Sequence, residues 1–98
     1  MADSFTPIGT TKSITASTAT SSVALPVFTI PRTVRVYNAA GVVVFLEFGI
    51  STIDATTSST PFGPGATEFI DVGPSVTHVA GITAAGGGTV YFTEGKGD

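Results

Sequence analysis

The chain has no Cys and no Trp, one His, one Met and only 11% charged residues among its 98. Each shortage closes a class of function. Without Cys there is neither a disulfide framework nor a thiolate metal site, so stability has to come from packing, backbone ladders and assembly. Four Lys and Arg against seven Asp and Glu give a net charge of −3 and an isoelectric point near 4.7. That is the wrong balance for the basic face that displaces counterions from nucleic acid. The most apolar run, Val42-Val43-Val44-Phe45-Leu46, ends at Glu47, far short of the roughly 20 apolar residues that cross a bilayer. Met1-Ala2-Asp3-Ser4 lacks the basic start and apolar stretch of a signal peptide, so an unprocessed product made in the cytoplasm is expected.

What remains is rich in Thr, Ser, Val and Gly, with 42% hydrophobic residues and a mean hydropathy of +0.43. A single domain of this length has a large surface for its volume, so so little charge implies apolar surface covered by other subunits. Residues 1–9 carry Phe5, Pro7 and Ile8 without a period and read as an extended arm, either disordered or pinned to something. Residues 10–98 read as one β domain.

Alternation in Ser13-Ile14-Thr15 and Ser22-Val23-Ala24-Leu25 predicts two short strands inside the stretch from Lys12 to Arg32, which has no charged side chain between its ends. Pro26 and Pro31 confine the second to an edge or end it. Thr33 to Tyr37 places Val34 and Val36 on one face and Arg35 and Tyr37 on the other. Asn38-Ala39-Ala40-Gly41 reads as a turn whose Asn and Gly tolerate positive φ, and Val42 to Phe48 as the return strand of a central hairpin, interior on both faces. A short strand is expected around Ile53, within Ser51 to Thr57, and turn chemistry over Ser58 to Gly65. Thr67–Val72, Val76–Ile82 and Thr89–Thr93 supply three more strands, divided by Gly73-Pro74 and Gly86-Gly87-Gly88. Seven or eight short strands with no helical period predict an all-β fold, a small antiparallel sandwich or barrel.

Little here is equipped for chemistry. His78 is the one group suited to proton transfer near neutral pH, but no G-x-S-x-G elbow accompanies it, and a strand histidine facing solvent or an interface accounts for it. Asp54, Glu68 and Asp71 are the acids that could meet across strands around calcium, with a solvated face as the default. Gly63-Pro64-Gly65 and Gly86-Gly87-Gly88 open no helix and carry no phosphate-binding Lys, so they read as turns. No enzyme activity, metal or cofactor is expected. Tyr37 and Tyr91 are the plausible stacking platforms for a sugar. The Phe residues belong to the core or to subunit contacts. Phe5, Ile8, Phe28, Pro31 and Phe62, in segments that do not alternate, are the candidate partner contacts.

Val34-Arg35-Val36-Tyr37-Asn38, the Phe48-Gly49 step, Ala55-Thr56-Thr57, Pro64-Gly65-Ala66, Thr77-His78-Val79-Ala80-Gly81-Ile82-Thr83 and the ending Val90-Tyr91-Phe92-Thr93-Glu94-Gly95-Lys96-Gly97 resemble a group of small virion structural proteins of tailed bacteriophages. The resemblance covers most of the chain from Phe5 onward and contains no catalytic signature. It implies a β-rich virion component, foremost a decoration or cement protein on the outer capsid face, with a head–tail connector or fibre-base role as the alternative. The partners it implies are the major capsid protein and further copies of the chain, a trimer being expected from the threefold sites of capsid lattices. Nucleic acid and membrane are not among them. A carbohydrate-binding sandwich is the rival expectation from the residues themselves.

Overall fold

Val34 and Val36 have no exposed surface, while Arg35 and Tyr37 are half-buried. That is the signature of a strand with one face in a core. The computed structural model describes residues 5–7, 10–25, 32–73 and 75–97, and within them this pattern recurs along an all-β chain. The strands are β1 (Phe5–Pro7), β2 (Lys12–Ala16), β3 (Ser21–Ala24), β4 (Arg32–Asn38), β5 (Val44–Gly49), β6 (Thr60–Phe62), β7 (Thr67–Val72), β8 (His78–Ile82) and β9 (Gly88–Gly97).

They form two antiparallel sheets. The first runs β1-β9-β4-β7, with β2 also on β9, and the second runs β3-β8-β5-β6. β1 meets Gly95 to Gly97 and β2 meets Gly88 to Phe92, so the two act as one interrupted edge along β9. The middle of the expected N-terminal arm is thus pinned to the chain's own last strand. The ladders β2–β9, β3–β8, β4–β7 and β5–β6 are nested. The chain is therefore one long hairpin, outward through β2 to β5 and back through β6 to β9, rolled so that its strands fall into two facing sheets. This arrangement is a jelly roll.

The core lies between the sheets. Ile14, Val34, Val36, Val90 and Phe92 from the first meet Val44, Leu46, Phe62 and Val79 from the second, all at most 5% exposed. At Gly81 the sheets pack closely: a Cβ there would stand 2.5 Å from Ile14 Cδ1 and 3.0 Å from Leu46 Cδ2. Glu94 is also buried, 1% exposed, in register with Val34.

Several sequence expectations are corrected. β4 and β5 do not form a hairpin: β4 is paired on both sides, by β9 and β7, so β5 crosses to the other sheet and pairs with β8 and β6. Asn38 is not a positive-φ turn residue; among the described residues positive φ occurs only at Gly65 and Gly86. Asn38 ends β4 fully buried. Its amide nitrogen donates to the carbonyls of Val42, Phe62 and Gly63 at 3.0–3.1 Å, and its Oδ1 accepts from Ala40 N at 2.9 Å. It thereby ties the crossover to the end of β6. The segment Ser51 to Thr57 contains no strand, whereas Thr60–Phe62, expected as part of a turn, does pair with β5. β5 is buried on one face only: Val44 and Leu46 are covered, while Val43 just before the strand is 39% exposed.

Candidate interaction face

The two outer faces of the sandwich are treated differently by the chain. On the second sheet, Ala80 pairs with Glu47 and Ser22 on the side away from the core, yet it has no exposed surface. Its cover is the loop from Ile50 to Ser59. Ile53 lies against Gly49, where a Cβ would stand 2.5 Å from Ile53 Cγ2. The amide of Ala55, itself 3% exposed, donates to the Thr20 hydroxyl at 2.9 Å, beside the start of β3. The loop returns where Ser59 Oγ donates to Glu47 Oε1 at 2.9 Å. It therefore roofs the sheet from β5 across β8 to β3.

On the first sheet, alternation sets Tyr91 on β9, Arg35 and Tyr37 on β4, and Phe69 on β7 on the outer face. Register places Tyr37 directly across from Tyr91, and Arg35 directly across from Phe69. The tyrosine rings are stacked, with centroids 6.2 Å apart and planes 13° apart. The Arg35 guanidinium carbon lies 6.0 Å from the Tyr37 centroid, within reach of a cation–π attraction. Phe69 is 55% and Tyr91 40% exposed. Around them stand the exposed small polar residues Ser13, Thr15 and Thr67, and Thr11 and Thr93 share a hydroxyl hydrogen bond of 2.8 Å. Chemically this is a surface of π-faces, one cation and hydroxyls, suited to packing against another surface.

The sequence candidates fare unequally. Tyr37 and Tyr91 come together on one face. Phe62, expected as a surface anchor, is 1% exposed and packs in the core: it ends β6 on the side facing the first sheet, and its carbonyl is held by Asn38. Phe5 lies in β1 opposite Gly97, with its side chain outside the described residues, as are Ile8, Phe28 and Pro31 altogether. His78 is half-buried on β8, its Nδ1 2.9 Å from the Thr77 hydroxyl. Asp71 accepts a 3.0 Å hydrogen bond from Thr33. Among the described residues no three His, Asp or Glu side chains gather closely enough to hold a metal ion. Phe69 was missed as a surface residue, although in a strand it shares parity with Thr67 and Asp71, on the side opposite Ile70 and Val72.

Comparison with protein-family models, curated proteins and solved structures returns no match in any of the three.

Proposed function

We propose that the chain is a non-enzymatic structural protein of a virion, a capsid decoration or cement module, and that it seats the outer face of its first sheet on the major capsid protein. The observation that carries the docking part is the asymmetry of the two faces. A chain that roofs one sheet with its own loop leaves on the other a surface of Tyr37, Phe69, Tyr91 and Arg35, the residue types that dominate the energetic centres of protein interfaces. The virion assignment rests on the sequence resemblance. The fold does not choose, because jelly rolls serve capsids, lectins and cupins alike. A cement protein needs no active site, and many weak copies on one lattice gain avidity from number.

Phe69→Ser combined with Tyr91→Ser removes two exposed rings without touching the core. Loss of two interface anchors of about 2 kcal/mol each lowers affinity by far more than ten-fold. The expected result is loss of binding to particles stripped of the protein, with the thermal midpoint unchanged; full occupancy by the double variant refutes the docking face.

The juxtaposed Tyr37 and Tyr91 favour one second reading, a sugar-binding face. The chain has two Tyr and no Trp, so its ultraviolet emission reports on that pair directly. A saturable change in emission on adding oligosaccharide supports the sugar reading, and an unchanged spectrum removes it.

A further inference from the structure

Every open-sided sandwich has edge strands whose outward backbone groups can recruit another strand, and proteins blunt such edges with charge, proline or interruption. Three of the edges here carry such a device. β6 contains Pro61, β7 carries the exposed acids Glu68 and Asp71, and the β1–β2 edge is broken in two, with Pro7 in one part and Lys12 in the other. β3 carries none. Among the described residues it pairs on one side only, with β8, and it reads Ser21-Ser22-Val23-Ala24 within a stretch that holds no charged residue between Lys12 and Arg32.

We propose that β3 is the contact between two copies of this chain, paired antiparallel about a two-fold axis through Val23, so that the second sheets of both copies become one continuous sheet. The backbone directions fit this register. Leu25 N donates to Thr77 O at 2.8 Å, and with Val23 in register with Val79, the alternation of an antiparallel ladder points the Val23 and Leu25 groups toward β8 and those of Ser22 and Ala24 away from it. Both outward residues are exposed. In the two-fold pair, Ser22 of each copy lies opposite Ala24 of the other, and these residues exchange N–H···O bonds in both directions. Val23 then meets its own counterpart in a non-hydrogen-bonded position, where side chains approach most closely. Val23 is half-buried and packs against the core at its open margin, so the same contact covers its remaining apolar surface.

A second copy is the fitting occupant for a reason of charge. The chain is net acidic, and self-association is resisted wherever its acids face each other. Glu47, Asp54, Glu68 and Asp71 all lie on other segments, so β3 meets its own copy without repulsion. The contact is two-fold, in place of the threefold arrangement expected from capsid lattices, and it stands on the edge geometry independently of the proposed virion role.

The test is the mass of the full chain in solution together with a cross-linking pair. Sedimentation equilibrium at rising concentration should reach twice the 9.8 kDa of one chain. Ser22→Pro removes an N–H that β8 does not use and places a ring in the partner's path, so it should stay monomeric with its β-sheet circular dichroism intact. Because the chain has no Cys, Val23→Cys offers an unambiguous second readout that does not depend on Ser22→Pro folding. Opposed residues in a non-hydrogen-bonded pair lie about 4.5 Å apart at Cα, inside disulfide range. Ser22→Cys places its diagonal counterpart about 7–8 Å away, beyond that range. A disulfide dimer from Val23→Cys and none from Ser22→Cys supports the register. A chain that stays monomeric at millimolar concentration, an oligomer that survives in folded Ser22→Pro, or equal cross-linking of both Cys variants overturns it.

Discussion

Asn38 joins three parts of the molecule through one side chain. Fully buried, it serves the carbonyls of Val42, Phe62 and Gly63 and the amide of Ala40, while its backbone N–H and C=O engage Ala66 and Gly65. Asn38→Ala strips three carbonyls of a buried donor, and each unsatisfied group costs about 1–3 kcal/mol. Partial compensation by water leaves an expected loss of about 2–4 kcal/mol, read as a lower urea midpoint with an unchanged slope. Gly81 fails in the opposite direction. Gly81→Ala drives a methyl into Ile14 and Leu46, and overpacking of this kind costs about 1–3 kcal/mol. A neutral result in chemical denaturation would show that the terminal methyls of Ile14 and Leu46 give way at little cost.

At the scale of elements, the sequence exposed strands more readily than their partners. β2, β3 and β4 are legible because each alternates with period two, a local property, whereas β7, β8 and β9 are legible as runs divided by Gly73-Pro74 and Gly86-Gly87-Gly88. Pairing is not local. The turn at Asn38 to Gly41 marks where the chain reverses but not which sheet receives it, and the occupied flanks of β4 send β5 across the sandwich. Thr60-Pro61-Phe62 was hidden by turn chemistry on both sides, and Ile53 imitated a strand because a loop that roofs a sheet also needs an apolar residue facing inward. The outer aromatic face was half-legible: the parity of Arg35 and Tyr37 gave their side, whereas the meeting of Tyr37 with Tyr91 depends on a ladder between residues far apart in sequence. β5 supports a further prediction. Val44 has no exposed surface in the centre of the core, and an ionised carboxylate there lacks any solvation. Val44→Asp is expected to yield insoluble or unfolded protein, and recovery of a soluble variant with native circular dichroism would contradict the burial of that strand face.

The whole molecule is a small rolled hairpin with one roofed face, one aromatic face and one unguarded edge. These three surfaces suit a module that is held between neighbours. The loop over residues 50–59 leaves Ala80 without exposed surface on the second sheet, and in the proposed reading the aromatic face supplies the anchors and the β3 edge a link between copies. The charge shortage read from the sequence fits the same picture, since the uncharged stretch from Lys12 to Arg32 supplies the unguarded edge. The most direct test of the proposed docking role is a cryo-EM reconstruction of the tailed-phage particle proposed to contain this chain. The account predicts ordered copies on the outer shell with Tyr37, Phe69, Tyr91 and Arg35 turned toward the capsid protein. Copies that present that face to solvent, or a particle that lacks the chain, would contradict it.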